Sequence, residues 1–249
     1  MAKTEPGAPS SGSLGRRTSA CASASSISSR APPDTPSASG TGTSWPRSRL
    51  GDALGLDTAW LGELHFSRPF STLADPLMVL AAAAQRARRI RLGTAVTLLP
   101  LHNPVKTAEQ AATADLLSDG RLELGVGRGT APIHYAGYDI PQEESRARFE
   151  EALDFILEAW THETFSYEGK YYHARDLTIV PRPVQVPHPP VRIAANSPDT
   201  FPLAARASLP IFATPLINPR RSSGKAWPDT APPCPPAPAP TPPWPSRCT

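Results

Sequence analysis

The sequence has 249 residues, and its 25 lysines and arginines against 22 aspartates and glutamates give a formal net charge of +3 at pH 7. Most of the positive excess lies in the terminal segments, which predicts no basic face for nucleic acid, and no apolar run approaches the length of a membrane span. The three cysteines, Cys21, Cys234 and Cys248, form no CxxC pair, which excludes a thiolate metal site and fits a reducing cytoplasm.

Composition divides the chain into a middle part and two tails. Residues 1–48 are rich in Ser, Ala, Gly, Pro, Thr and Arg, and residues 220–249 contain no Leu, Ile, Val, Met or Phe. Neither segment can bury enough apolar surface to offset the entropy of ordering it, which predicts disordered tails around a globular domain at 49–219. Two alternatives stay open: a frameshifted reading of a GC-rich gene would give such tails, and the acid-poor start resembles an organellar transit peptide.

Strand and helix patterns alternate between residues 58 and 129, which is typical of a parallel sheet. The predicted elements are a strand over 58–62, a helix over 77–88 capped by Asp75 and Pro76, a strand over 91–99, a helix from Asn103 to Gly120 and a strand over 121–129. Polar residues stand where these strands end: Glu63, His65, His102 and Arg128. The carboxyl ends of barrel strands carry the chemistry in α/β barrels.

The chain from 149 to 213 predicts a helix, an insertion and two more strands. The helix has one apolar face, formed by Phe149, Leu153, Ile156, Leu157 and Trp160. Short pieces broken by Gly and Pro between 165 and 190 predict an inserted hairpin and loop. Strands follow at 191–195 and 210–213, so five strands are predicted where a closed barrel needs eight.

Two loops are candidates for binding an anion. The run GVGRGT at 125–130 lacks the third glycine of a dinucleotide loop, and Pro132 is expected to interrupt the helix that should follow. We interpret its glycines as positions where a ligand approaches the backbone, with Arg128 either binding that ligand or pairing with a carboxylate. In the other loop, the hydroxyls of Ser197 and Thr200 either hold a phosphate or cap the helix that follows.

The six histidines show no HxH or HExxH spacing, so no metal site is predicted. His65 follows a predicted strand end and is a candidate for proton transfer. No nucleophile elbow and no convincing carboxylate pair are present, which leaves hydrolase chemistry without support.

Several segments, in order and at matching spacing, resemble the bacterial luciferase-like, flavin-dependent monooxygenase family over about residues 50–219. They are LGLDTAWLGELHF, LGTAVTLLPLHNP, LLSDGRLELGVGRG, SRARFEEALDFILEAW, YEGKYY with PRPVQ, and AANSPDTF. The family fold is a (β/α)8 TIM barrel with an insertion before the fifth strand. The resemblance therefore implies an α/β barrel that is incomplete, because the first strand and the last two βα units are not recognisable.

The resemblance also implies where a flavin binds and which residue is catalytic. The flavin would lie at the carboxyl-terminal mouth of the barrel, and His65 would be the catalytic residue. The flavin ring would lie along the strand that carries Thr94, Ala95, Val96 and Leu98, and the flavin phosphate would be held by Arg128, Ser197 and Thr200. Asn196 is a further cofactor-binding residue that the resemblance implies. The family often has a further histidine directly before the one at 65, and Leu64 in that place argues against light emission.

In this family, reduced FMN delivered by a separate flavin reductase reacts with O2 to a flavin hydroperoxide, which oxygenates a small organic substrate while the protein excludes water. A related branch uses a deazaflavin for hydride transfer. Because of Leu64 and the missing strands, a non-catalytic flavin-binding protein and an inactive truncated product remain alternatives. The resemblance is compatible with a homodimer in the cytoplasm.

Overall fold

The computed structural model describes residues 44–66, 71, 73–195, 197 and 200–213, with side chains from Ser48 onward. The predicted carboxyl-terminal tail and Asn196 lie outside the described residues, as does most of the predicted amino-terminal tail. The first described helix begins at Ser44, five residues before the boundary at 49. Composition averaged over a window does not place such a boundary, because a helix can start on Ser, Trp and Pro as readily as on apolar residues.

Six helices and eight strands make up the described chain. The helices are α1 Ser44–Leu54, α2 Pro76–Ala84, α3 Pro104–Leu117, α4 Pro132–Gly137, α5 Ser145–Thr161 and α6 Thr200–Arg206. The strands are β1 Thr58–Leu61, β2 Arg91–Thr94, β3 Thr97–Leu98, β4 Leu122–Gly127, β5 Phe165–Glu168, β6 His173–Leu177, β7 Val191–Ala194 and β8 Ile211–Phe212. No described helix is both long enough and apolar enough to cross a membrane.

The main sheet is parallel, with strand order β1-β2-β4-β7-β8, and β3 pairs with β4. This confirms the predicted α/β class. Helices join successive strands, and α5 packs on α3 through Trp160, whose indole N–H donates to the Ala108 carbonyl at 3.3 Å. The predicted insertion is also present, because β5 and β6 form a separate antiparallel hairpin.

The main sheet curls strongly. Trp60 of β1 and Phe212 of β8 lie on its two outer strands, yet their ring centroids are 4.8 Å apart in an edge-to-face contact. In a flat sheet the outermost of five strands would be about 19 Å apart. The sheet therefore has the curvature of part of a barrel, and its concave side is filled by aromatic rings.

A buried carboxylate ties three strands together inside this curve. Glu123 of β4 accepts from the Nε atoms of Arg91 on β2 and Arg192 on β7, at 2.7 and 2.8 Å. The Arg192 guanidinium also lies over the rings of Trp60 and Phe212. Two arginines on one carboxylate offset the cost of removing its charge from water.

Helix starts follow the sequence signals. Asp75 caps α2 by accepting from the Met78 N–H at 3.0 Å, as predicted, and Asn103 caps α3 by accepting from the Val105 N–H at 3.0 Å. Helix α2 ends at Ala84, four residues before the predicted end at 88. The predicted interruption at Pro132 is wrong, because α4 begins on that proline. A proline at the first helical position lacks only an N–H that has no partner within the helix.

The strand predicted over 91–99 is broken in two. Strand β2 pairs with β1 up to Thr94, whereas β3 pairs only with β4, and the Ala95–Val96 peptide between them is cis. The Ala95 N–H donates to the Leu61 carbonyl at 2.7 Å, and the Glu63 N–H donates to the Val96 carbonyl at 3.4 Å. Both segments pair with β4, so the difference is that the pairing with β1 ends at Thr94. A run that is apolar throughout carries no signal for such a break.

Candidate functional site

The predicted site residues converge on one edge of the sheet, where the parallel strands end. They form two groups there. We call Glu63, His65, His102, His134 and Tyr138 the histidine cluster, and the residues around Arg128, Ser197 and Thr200 the arginine pocket.

Glu63 lies at the centre of the histidine cluster. Its Oε1 accepts from His65 Nε2 at 2.6 Å and from His102 Nε2 at 2.8 Å, while its Oε2 accepts from the Leu98 N–H at 3.0 Å. The Glu63 side chain is 1% exposed, whereas that of His102 is 30% exposed. The cluster thus joins the loop after β1 to the end of β3 and the turn that follows it.

The pairing of Glu63 with His102 sets the charge of both groups. Burial opposes ionisation of Glu63, but hydrogen bonds from His102, His65 and the Leu98 N–H outweigh it and lower its pKa below the ordinary value. Burial likewise opposes protonation of His102, but the hydrogen bond and charge of Glu63, with a contribution from Asp75, raise its pKa above the ordinary value. A carboxylate facing an imidazolium is therefore favoured at this edge of the sheet.

His65 is enclosed on both sides. Its Nδ1 lies 3.2 Å from the Tyr138 hydroxyl, and its backbone N–H donates to His134 Nε2 at 3.4 Å. Burial, followed by the neighbouring His65, lowers the pKa of His134. Both ring nitrogens of His65 are thus engaged and 5% of its surface is exposed, and its catalytic role stays a prediction.

Polar atoms of Glu63, His65 and His102 all lie within 4.8 Å of one another, which is compact enough for a metal ion. The distances from Glu63 Oε1 to the two ring nitrogens are those of hydrogen bonds rather than of ligands spread around a cation. We therefore interpret the cluster as a hydrogen-bonded network, and the absence of a metal site stays a prediction.

The arginine pocket brings together residues from two neighbouring strands. Arg128 directly follows β4, and Ser197 and Thr200 follow β7, with which β4 pairs. All three line a cavity of about 40 Å³, which is also bordered by Arg146 and Glu150 of α5. The Ser197 and Thr200 hydroxyls are 3.0 Å apart. Within the described part of the chain, no side chain forms a hydrogen bond or ion pair with the Arg128 guanidinium.

The segment predicted to lie along a flavin ring is partly committed to the fold. Thr94 is fully buried, and its hydroxyl donates to the Gly125 carbonyl at 2.6 Å. Leu98 is buried with Leu101 and Tyr135. Ala95 and Val96 are half-buried, so they are the residues of this segment whose surface is accessible to a ligand.

The interpretation of the glycines in GVGRGT is wrong for Gly125 and Gly127. A Cβ on Gly125 would collide with the Thr94 carbonyl oxygen, and one on Gly127 would lie 2.6 Å from the Val96 side chain. The neighbouring strand segment, not a ligand, occupies the space that these glycines leave. A glycine in the sequence indicates that another group lies close to the backbone, but not whether that group is a ligand or another part of the chain.

Sequence reasoning marked Glu63 and His102 as polar residues at strand ends but gave them no role, and it missed His134 and Tyr138. Glu63 and His102 are in contact although they are 39 positions apart in the sequence, and no spacing pattern predicts such a contact. His134 and Tyr138 belong to α4 and its end, the helix that Pro132 was expected to prevent. Recognising Pro132 as a first-turn residue would have placed both on a short helix after β4, although their contact with His65 has no local signal.

Comparison with known proteins agrees with this geometry. A family model for luciferase-like monooxygenases matches residues 41–231. The oxygenase component of a flavin-dependent trigonelline monooxygenase from Acinetobacter baylyi is 30% identical over 172 residues, which cover 68% of this chain and 47% of that protein. An F420-dependent glucose-6-phosphate dehydrogenase from Amycolatopsis mediterranei is 36% identical over 163 residues, which cover 63% and 48%.

A solved structure gives the same picture. Monooxygenase RslO1 from Streptomyces bottropensis superposes with a TM-score of 0.74 at 34% identity, covering 78% of this chain and 59% of that one. The chain spans about half the length of the curated relatives that it matches. The family match continues to residue 231, past the boundary at 219 that composition predicts.

Proposed function

This chain belongs to the luciferase-like monooxygenase family, and we propose that it binds FMN and uses the reduced form with O2 to oxygenate a small organic substrate. The arginine pocket is the observation that carries the proposal. It joins a guanidinium and two hydroxyls at the carboxyl ends of adjacent parallel strands, which is the face where barrel enzymes place their active sites.

The residues of the pocket suit a flavin phosphate. The Arg128 guanidinium can form charge-assisted hydrogen bonds to phosphate oxygens without first breaking an ion pair with any described residue. The Ser197 and Thr200 hydroxyls, already close together, can both donate to the same phosphate. Asn196, outside the described residues, remains a predicted contributor.

The ring of the flavin would lie against Ala95 and Val96. Behind Val96, the buried side chains of Leu98, Leu101 and Tyr135 form an apolar wall that keeps water from this side. When bound and reduced, the flavin supplies the electrons that activate O2. This apolar wall would exclude water from the reaction of the reduced flavin with O2.

A separate reductase is part of the proposal. The trigonelline relative is named as an oxygenase component, which supports a division of labour between the protein that reduces the flavin and the one that uses it. We extend this to the present chain, with the cytoplasm as the compartment and a homodimer as its form.

A deazaflavin-dependent hydride transfer is the second candidate. It is favoured by the F420-dependent relative, whose similarity to this chain is comparable to that of the oxygenase component. The arginine pocket would serve either cofactor, because FMN and F420 both carry a phosphate.

Direct titration separates these candidates. FMN and F420 are titrated into the full 249-residue chain, and binding is followed by quenching of the cofactor's fluorescence. The loss of charge-assisted hydrogen bonds in Arg128→Ala should weaken binding about tenfold to a hundredfold. The control is Arg175→Ala on the exposed face of β6, which should leave affinity unchanged.

Failure to bind either cofactor, or equal affinities for the wild type and Arg128→Ala, would contradict the proposal. Oxygen uptake is then measured with FMN, NADH and a flavin reductase. Substrate-dependent uptake identifies a monooxygenase. Tight FMN binding without such uptake identifies the non-catalytic flavin-binding protein instead.

A further inference from the structure

A chain of hydrogen bonds runs through the histidine cluster from one exposed group to another. The Tyr138 hydroxyl lies 3.2 Å from His65 Nδ1, His65 Nε2 lies 2.6 Å from Glu63 Oε1, and the same oxygen lies 2.8 Å from His102 Nε2. Because the Glu63 carboxylate can only accept and the Tyr138 hydroxyl can donate, we assign a donor role to His65 Nε2 and an acceptor role to Nδ1. A hydroxyl, an imidazole and an orienting carboxylate follow one another here, in the order of a catalytic triad.

The two ends of this chain differ in what they face. Tyr138 is 40% exposed at the end of α4, on the side of the aromatic side chain of Phe66. His102 lines a separate cavity of about 160 Å³ between α2 and α3, together with Glu63 and Thr97. At about 30 Å³ for each water, this cavity has room for about five.

Polar side chains make the side cavity suitable for water. His102, Asp75, Lys106 and Gln110 line it, and the His102 side chain is 30% exposed. Thr97 also borders the cavity, but its hydroxyl has almost no accessible surface and no hydrogen-bond partner among the described residues. Water in the cavity can therefore take a proton from His102.

We propose that Tyr138 is the acid–base residue facing the reacting molecule, and that His65, Glu63 and His102 carry its proton to and from the water of the side cavity. This inference rests on the proposed function for the identity of the reaction. It assigns the catalytic contact to Tyr138, whereas His65 and Glu63 are positioning residues that act through it, because neither is exposed.

The proton transfers balance without any change in electrons. The reacting group gives a proton to the Tyr138 oxygen as Tyr138 gives its own to Nδ1 of His65. His65 then carries a proton on each ring nitrogen and keeps its Nε2–H on the Glu63 carboxylate. His102, which this carboxylate favours as an imidazolium, releases its Nδ1 proton to water and keeps its Nε2–H on Glu63. The reacting group has lost one proton and the cavity water has gained one. The reverse order returns a proton to the reacting group.

The surrounding charges are compatible with this role. Burial, followed by the charges of Glu63 and Asp75, raises the pKa of Tyr138, so the phenol remains protonated and able to donate at neutral pH. The other titratable groups around the chain are Lys106, which lines the side cavity, and His134, which accepts from the His65 backbone.

The first test uses the full chain without cofactor and follows its histidines by NMR after 15N and 13C labelling. Tyr138→Phe removes the donor to His65 and should move the Nδ1 resonance of that ring. Glu63→Gln removes the charge that favours protonation of His102 and should lower its pKa by about one to three units. The controls are Tyr171→Phe, a tyrosine that contacts Lys170, and Glu158→Gln, which pairs with the exposed His162, and both should leave these signals in place.

The second test measures turnover across pH with FMN, a flavin reductase and trigonelline, the compound in the name of the relative from Acinetobacter baylyi. Tyr138→Phe should lower kcat about 100-fold to 10,000-fold with little change in KM or FMN affinity, and should remove one limb of the pH profile. Glu63→Asp should recover part of the activity and pH dependence that Glu63→Gln loses. A purely structural role for Tyr138 would leave the shape of the pH profile unchanged.

Unchanged His65 resonances in Tyr138→Phe, or wild-type kcat in that variant, would overturn the proposal. A stoichiometric metal in the purified chain that Glu63→Gln removes would also overturn it, in favour of a metal site. In another outcome, the chain binds neither FMN nor F420 while its His65 and His102 signals still respond to these substitutions. That result would support the proton route and contradict only the cofactor assignment. A cooperative urea unfolding transition in each variant shows that it is folded.

Discussion

Glu63 shows how a single residue type fixes the chemistry of this edge of the sheet. A carboxylate that is 1% exposed would normally take up a proton, since burial penalises its charge. Here two imidazoles and one backbone N–H hold it ionised, and it in turn holds His102 protonated. The negative charge of Glu63 thus favours the positive charge of His102, and the reverse also holds. The contribution of this pair to the free energy of unfolding therefore depends on pH.

The pH dependence can be given a sign. The lowered pKa of Glu63 contributes stability that is present above about 4.3 and is lost as the pH falls through the lower folded value. The raised pKa of His102 contributes stability that is present below about 6.5 and is lost as the pH rises through the higher folded value. Glu63→Gln should therefore cost most, about 1–3 kcal/mol in the free energy of unfolding, between those two pH values.

Urea unfolding of the wild type and Glu63→Gln between pH 4 and pH 9 measures this difference. Glu158→Gln, whose partner His162 is exposed, serves as the control and should show little effect at any pH. A cost for Glu63→Gln that is constant across this range would mean that the pair does not carry the charges assigned to it.

At the scale of elements, β4 is the central strand of the main sheet. All six of its residues are buried, and it pairs with β2, β3 and β7. Its glycines let the segment from Thr94 to Val96 pass close by, which places Ala95 and Val96 at the mouth. Any side chain at Gly125 would push this segment outward, because the obstructing atom belongs to the backbone and cannot rotate away.

Gly125→Ala should destabilise the chain by about 1–3 kcal/mol, because its methyl group would press on the Thr94 carbonyl and on the Phe212 ring. Gly51→Ala in α1 is the matched control. Its methyl group would meet side chains rather than backbone, the end of Ile90 at 3.0 Å and Leu56 at 3.5 Å, and alanine favours a helix by about 0.5–1 kcal/mol over glycine. Urea unfolding of both variants measures the contrast, and equal stabilities would show that β2 and β4 are not packed this tightly.

The sequence predicts these elements well where local chemistry sets them, and poorly where the partner is distant. Helix caps at Asp75 and Asn103 depend on residues within four positions, and both are confirmed. The break at Ala95 depends on which strand lies alongside, and the contact between Glu63 and His102 depends on the path of the whole βα unit. Such information is not contained in propensity or periodicity, so the prediction placed single residues at the mouth without joining them.

At the scale of the whole molecule, the curvature of the main sheet brings the carboxyl ends of several strands together at one site. Glu63 and Ser197 follow the carboxyl ends of β1 and β7, which have two strands between them in the sheet. The outer strands of this sheet meet through Trp60 and Phe212. Arg192 lies against both rings and is held by Glu123. The same contacts that curl the sheet therefore bring the histidine cluster and the arginine pocket to one rim.

A double-mutant cycle tests this curvature in solution. Trp60→Ala and Phe212→Ala are made separately and together, and their free energies of unfolding are compared. An edge-to-face pair should give a coupling of about 0.5–1.5 kcal/mol, because each ring loses its partner in either single variant. Trp60→Ala combined with Tyr171→Ala on the inserted hairpin should be additive. Additive effects for Trp60 and Phe212 as well would mean that the outer strands do not meet, and the two halves of the proposed site would then have no shared rim.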